Sequence, residues 1–113
     1  MDRVRDYQTL IEEILTEHHR LASKSSDPMI ESALVFDKQG QHYLLLRLGW
    51  QKDERIKTTI IHIRLVSGKI WIEEDWTEDG IVTDLLSAGV PQENIVLAFH
   101  PPHLRQHTEF ATV

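Results

Sequence analysis

Residues 42–74, HYLLLRLGWQKDERIKTTIIHIRLVSGKIWIEE, decide the fold of this chain. In the run from His42 to Trp50 an apolar residue recurs at every second position, which is typical of a β-strand. The run from Ile56 to Val66 is rich in β-branched residues, which also favour strands. Only the charged segment Gln51 to Arg55 separates the two runs, and a connection this short predicts that the strands are antiparallel neighbours.

Two further runs extend this pair on either side. Ser67-Gly68 is a typical tight-turn sequence and leads into a strand from Lys69 to Glu74. On the other side, the run from Ile30 to Phe36 alternates in the same manner, and the turn Asp37 to Gly40 connects it to His42. The sequence therefore predicts a meander of four antiparallel strands.

The segment before the sheet has the apolar spacing of an amphipathic helix. Asp2 is the expected N-cap, and the polar segment from Ser23 to Pro28 is expected to end the helix. We expect the apolar side of this helix to pack on one face of the sheet. That side consists of Val4, Tyr7, Leu10, Ile11, Ile14, Leu15, His18 and Leu21.

A short helix is predicted after the meander. Thr77 or Asp79 is the expected cap, and Gly89 followed by Pro91 provides a helix stop. Its apolar residues are Ile81, Val82, Leu85 and Leu86.

A fifth, buried strand is predicted from Asn94 to Phe99, ended by Pro101-Pro102. Because the strands are grouped together, we expect an α+β fold, with the N-terminal helix packed on a mainly antiparallel sheet. A chain of 113 residues suits a single domain, so we expect one domain over residues 1–113.

Composition narrows the classes of function. The chain has no cysteine and carries a formal net charge of −6, with the excess of acidic residues in residues 70–113. Neither a secretory signal nor a membrane-spanning run is recognisable, so a cytoplasmic protein is expected. An acidic surface repels a phosphate backbone, and direct contact with nucleic acid is therefore not the favoured interpretation. The alternative is direct DNA binding through the basic stretch 47–69.

The acidic run from Glu73 to Asp79 is the most prominent cluster of charge. It fails the pattern of a calcium-binding loop, since Thr77 stands where that loop has Asp or Asn, and Leu86 stands where it has Glu. A solvated loop with a helix cap is one interpretation, and a docking surface for a basic partner is compatible with it. The predicted partner-binding residues are Trp71, Glu73, Glu74, Asp75, Trp76, Glu78 and Asp79.

The tryptophans suggest that both sheet faces need cover. If Ile70 and Ile72 face the core, then Trp71 emerges on the opposite face. Either a second subunit or the second helix or C-terminal tail would then cover Trp71. The first possibility predicts a homodimer.

No set of residues here has the pattern of an active site. Nucleophile-elbow and phosphate-loop patterns are absent, so we expect no enzyme, no cofactor and no metal. Four-residue spacing would let His103 and His107 share a metal, and a metal-dependent hydrolytic enzyme is kept as an alternative. A polar sheet face or ligand site is the hypothesis for His62, Arg64, His100, Arg105 and Glu109.

Several short strings together resemble the XisI-like family, the controlling factors for excision of the fdxN element. The resemblance spans essentially the whole chain. Its strings are Gly49-Trp50, Ile61-His62-Ile63, Gly68-Lys69-Ile70-Trp71-Ile72, Asp75, Thr77 to Ile81, Gly89-Val90-Pro91, Asn94 to Leu97, Phe99 to Pro102, Arg105 and Thr108 to Ala111.

The resemblance implies an accessory role in site-specific recombination. Family members assist removal of a DNA element during differentiation of nitrogen-fixing bacteria, in heterocysts, while a separate recombinase cuts and joins the strands. A companion protein of the XisH type is the partner that the resemblance implies. It assigns no chemistry to His100 or Glu109, and His103 and His107 are not part of the pattern.

Overall fold

The computed structural model describes residues 3–24 and 27–113, with side chains from residue 6 onward in the first range. The predicted N-cap Asp2 and the side chain of Val4 lie outside the described residues. The structure has three α-helices and five strands in this part of the chain. The helices are α1 (Arg3–Ala22), α2 (Ile81–Ser87) and α3 (Pro102–Arg105), and the strands are β1 (Ile30–Asp37), β2 (His42–Gln51), β3 (Glu54–Val66), β4 (Lys69–Asp75) and β5 (Ile95–Leu97).

The sheet has the strand order β1-β2-β3-β4-β5. The first four strands are antiparallel neighbours, and β5 runs parallel to β4. The predicted meander and the α+β fold class are therefore confirmed. The parallel pairing of β5 follows from α2, which carries the chain back along the sheet before β5 begins.

One predicted loop is wrong. The segment Gln51 to Arg55 is not a loop, because Gln51 pairs with Glu54 and the strands continue to a two-residue turn. Lys52 makes that turn with a positive φ of 57°. The predicted turn at Ser67-Gly68 is confirmed, with φ of 51° and 78°, the backbone twist that suits a tight hairpin.

The core lies between α1, α2 and one face of the sheet. Alternate residues of β2, β3 and β4 point towards α1 and are fully or nearly fully buried, as are Ile11 and Leu15 of α1. The predicted apolar side of α1 fails at its last member, since Leu21 is 54% exposed. No helix in the described ranges is long and apolar enough to cross a membrane.

Two β-bulges change the alternation of side chains. Ile60 is an extra residue between Thr59 and Ile61 of β3, and it joins the core side of the sheet. Glu73 is an extra residue of β4, inserted between the pairs Ile63–Ile72 and His62–Glu74. The second bulge turns Glu73 and Glu74 towards the face opposite α1.

The C-terminal predictions need two corrections. Neither Thr77 nor Asp79 caps α2; its N-cap is Gly80, which has no side chain to accept a hydrogen bond. The predicted strand from Asn94 to Phe99 is shorter, because the chain turns at Ala98 and Phe99, leaving Phe99 50% exposed. Gly89 does end the region of α2, with a φ of 94° that a residue with a Cβ rarely adopts.

Candidate functional site

Asp75 organises the acidic segment from Glu73 to Asp79. One of its carboxylate oxygens accepts hydrogen bonds from the backbone N–H and the hydroxyl of Thr77, at 3.0 and 2.5 Å. Its other oxygen accepts from the N–H of Ile81 at 2.7 Å, at the first turn of α2. This carboxylate therefore closes the loop and caps the helix from outside it. Asp75 was predicted to bind a partner, but its oxygens are engaged within the chain.

Trp76 is the most exposed large apolar side chain of the described residues, at 71%. Its position is fixed, because its indole Nε1 donates to Glu74 Oε2 at 2.7 Å and its backbone N–H donates to Ile60 O at 2.9 Å. Trp76 is among the residues predicted to bind a partner, and within this chain its ring lies largely in solvent. An exposed aromatic ring held in this way is typical of a binding surface.

Two further carboxylates follow Trp76 in the chain. Glu78 and Asp79 are exposed in the same loop, and neither side chain makes an ion pair among the described residues. Together with Glu74 and Trp76 they form what we call the acidic edge. The acidic edge combines an aromatic anchor with uncompensated negative charge, which favours a basic partner.

Trp71 does not belong to the acidic edge. It lies on the face of the sheet opposite α1, as predicted, and is half-buried. The Arg105 guanidinium lies over its ring at 5.4 Å, so the C-terminal tail covers it. Of the two covers considered from the sequence, the tail is the one that this chain supplies.

Arg105 is buried and holds the tail in place. Its guanidinium donates to three backbone carbonyl oxygens, those of His100 at 3.0 Å, Ala98 at 3.3 Å and Thr112 at 3.4 Å. The guanidinium carries several N–H donors in one plane, so it can bind three carbonyl oxygens of the tail at the same time. The hypothesis of a ligand site at Arg105 is therefore not what the geometry favours.

His62 and Arg64 lie on the same face as Trp71. Arg64 Nη1 donates to Glu73 Oε2 at 3.4 Å, and His62 Nε2 is 3.0 Å from His42 Nδ1. Burial lowers the pKa of His62 below its usual value, and the neighbouring His42 lowers that pKa further, because adjacent imidazoles resist a second proton. These side chains form a polar end of this sheet face.

The remaining predicted polar residues do not converge with His62. His100 is half-exposed, and its ring centroid lies 4.6 Å from that of Phe99 in a tilted arrangement. Glu109 accepts from Gln92 Nε2 at 3.1 Å on the surface. His103 and His107 are exposed in and after α3. Across the described ranges, no group of three or more His, Asp or Glu side chains is placed to hold a metal ion.

The basic stretch 47–69 is divided between surfaces. Arg55 and Lys57 lie on the sheet face opposite α1, whereas Arg47 lies on the α1 side. Lys69 Nζ donates to Val113 O at 2.6 Å beside the tail. The basic residues of β3 itself, Arg55, Lys57 and Arg64, share the face opposite α1. The stretch is therefore divided by the positions of Arg47 and Lys69, not by alternation along β3.

Sequence reasoning missed two features of the site. The role of Arg105 as a tail clamp depends on contacts with carbonyls that carry no sequence pattern. His42 was not identified as the neighbour of His62, although register counting between His42–Trp50 and Ile56–Val66 could have placed them together. Such counting fails unless the bulge at Ile60 is known.

Comparisons with known proteins agree with this architecture. The family model described as XisI protein matches residues 1–112. The crystal structure of the fdxN element excision controlling factor XisI from Anabaena variabilis ATCC 29413 is similar, with 38% identity and a TM-score of 0.86. A XisI-like protein from the same organism has 33% identity and a TM-score of 0.90. In both cases 99% of this chain and 100% of the other are covered. No curated protein matches this chain.

Proposed function

Since this chain belongs to the XisI family, we propose that it is an accessory factor for site-specific excision of a DNA element, which acts by binding a companion protein of the XisH type. The name of a relative that is 38% identical, an excision controlling factor, supports the regulatory role. The observation that carries the binding role is the acidic edge. No catalytic step is assigned to the chain, and a separate recombinase would cut and join the DNA.

The acidic edge has the features of a recognition surface. Trp76 offers a rigid ring, so little side-chain entropy is lost when a partner covers it. Glu74, which accepts from the ring, and Glu78 and Asp79 in the same loop add negative charge, and charge of this kind steers encounter and sets specificity. A companion protein with a basic surface would meet both features at once.

The companion's affinity tests this proposal directly. The purified XisH-type companion is titrated against wild-type protein and the variants Glu74→Lys, Asp79→Lys and Trp76→Ala. We expect each charge reversal to weaken binding roughly tenfold and loss of the ring to weaken it about thirtyfold, the range of a hot-spot residue. Added salt is expected to weaken the wild-type complex.

Asp53→Lys is the matched control, since it makes the same change of charge in the β2–β3 turn. That variant should bind as the wild type does. Wild-type affinity in Glu74→Lys and Asp79→Lys would exclude the acidic edge as the docking surface. Asp75 is left intact because its substitution would disturb the loop itself.

Direct DNA binding through residues 47–69 is the competing hypothesis, and nothing in the geometry favours it over the acidic edge. A mobility-shift titration at low salt distinguishes the two. Under the proposed function, the chain alone gives no shift, and a shift requires the companion. A salt-sensitive shift by the chain alone, abolished by Arg55→Glu with Lys57→Glu, would favour the competitor.

A further inference from the structure

One half of the sheet face opposite α1 is apolar, and no other part of the described chain packs on it. The tail covers only the half formed by β4 and β5. We call the uncovered half, formed by β1, β2 and β3, the open face. A contiguous apolar surface of this kind marks an interaction site. Its apolar members are Ala33, Val35, Leu44, Leu46, Leu48 and, beside Arg55, Trp50.

The open face is a grid with charge at its corners. Glu31 of β1, Leu48 of β2 and Lys57 of β3 lie side by side in one row across the strands. At the other end of the grid, Asp37, His42 and Arg64 form a second such row. In both rows the acidic residue is on β1, the basic residue is on β3, and β2 lies between them.

This pattern complements itself under one symmetry only. A two-fold axis parallel to β2 would place β1 of one copy over β3 of the other at the same level along the strands. Glu31 would then meet Lys57 of the second copy, and Asp37 would meet Arg64. An axis perpendicular to the strands would instead place β1 over β1, acid against acid, and β3 over β3.

We propose that a second copy of this chain covers the open face, related by a two-fold axis parallel to β2. The leucines of the two β2 strands pack against each other at the centre, as the inner faces of two aligned sheets do. The charged rows lie at the two ends of the interface and fix its orientation. Each contact occurs twice, because a two-fold interface is isologous.

Glu31 and Lys57 provide the cleanest test of this arrangement. Both side chains are exposed, and neither makes an ion pair or side-chain hydrogen bond among the residues described. Substitution therefore removes no ion pair or hydrogen bond within the described part of the monomer. The second row is less suitable for this test, since Asp37 accepts from Gly40 N at 2.8 Å and Arg64 is paired with Glu73.

Sedimentation analysis of wild type, Glu31→Lys, Lys57→Glu and their equimolar mixture is the experiment. We expect a wild-type dimer and a dissociation constant about tenfold higher in each single variant, because two attractive contacts become repulsive. The mixture should restore association, since in the mixed dimer every such contact is again attractive. Glu13→Lys on α1, with the same change of charge, should associate as the wild type does.

Leu46→Glu adds a test of the apolar centre and should give a monomer. Circular dichroism checks that each variant is folded. If Leu46→Glu does not fold, the charge variants still test the proposal.

A monomeric wild type at high concentration would overturn the proposal. Tighter association of Glu31→Lys would indicate the perpendicular axis, and a mixture no tighter than its components would refute the pairing. A monomer that loses companion binding with Leu46→Glu would assign the open face to the companion instead.

Discussion

The two faces of the sheet are built from neighbouring residues of the same strands, yet they differ in what covers them. Leu45 points towards α1 and is 3% exposed, whereas Leu46 points to the open face and is only half-buried. Both are leucines in the middle of β2. Apolar character alone therefore does not make a core in this chain; the core forms where α1 and α2 supply a second layer.

The open face also differs from the covered one in its borders. On the covered face, the buried aliphatic residues of the strands pack directly against buried aliphatic residues of α1 and α2. Around the open face, charged residues stand at the ends of the apolar rows. An apolar centre with a charged rim is the anatomy of an interface. The contrast between the two faces can be tested from stability as well as from association.

The largest expected effect comes from the adjacent leucines. Leu45→Ala leaves a cavity between the sheet and α1 and should lower the free energy of unfolding by about 2–5 kcal/mol. Leu46→Ala removes the same atoms from a half-buried site with no second layer in the monomer, and should lower it by about 1 kcal/mol or less. Urea denaturation at low protein concentration measures both.

Low concentration matters because any self-association would add stability to the wild type. Under those conditions, equal losses for Leu45→Ala and Leu46→Ala would show that the open face is covered within the monomer. The two faces of the sheet would then not differ in what covers them.

The second expected effect concerns the half of the same face that the tail does cover. Arg105→Ala removes three hydrogen bonds to carbonyl oxygens and the contact with Trp71, and should lower the free energy of unfolding by about 1–3 kcal/mol. Arg105→Lys keeps the charge but loses the planar fork, so it should rescue only part of the loss. Urea denaturation gives the totals.

Hydrogen exchange shows where the loss of Arg105 acts. Amides from Ala98 to Val113 should exchange faster in Arg105→Ala, while those of β2 and β3 should keep their protection. Unchanged protection in the tail would mean that Arg105 does not hold it. His103→Ala, an exposed change in α3, is the control for perturbing the helix itself.

The sequence predicts the strands of the sheet, but it does not predict what packs against each face. Period-two patterns place Leu44, Leu46 and Leu48 on one side of β2 regardless of what lies above them. Which side receives α1 depends on tertiary packing that no local pattern records. The bulge at Ile60 shifts a residue without changing the composition of the run, so it is invisible in the sequence.

The acidic edge was predictable in part for the same reason. Charge density identified Glu74, Glu78 and Asp79 as surface residues, because unpaired carboxylates avoid burial. The same cluster contained Asp75, which has the same chemistry but caps α2 through Ile81. The hydrogen bond from Trp76 to Glu74, which holds the ring in solvent, has no signature in the sequence.

The smallest expected effect is a pH dependence from the polar end of the open face. Because the pKa of His62 is lowered on folding, mainly by burial, the unfolded chain binds a proton here more readily than the folded one. As pH falls through about 6.5, the usual pKa of histidine, that difference should lower the free energy of unfolding. The loss should continue until the pH reaches the lowered pKa of the folded state.

Urea titrations between about pH 7 and about pH 5 compare wild type with His62→Gln, which should lose less stability on acidification. His103→Gln removes a histidine that is exposed in α3 and should keep the wild-type slope. If His62→Gln also kept that slope, protonation at His62 would not distinguish the folded from the unfolded chain. The polar end of the open face would then be as well solvated as the surface of α3, and the two faces of the sheet would differ only in their apolar cover.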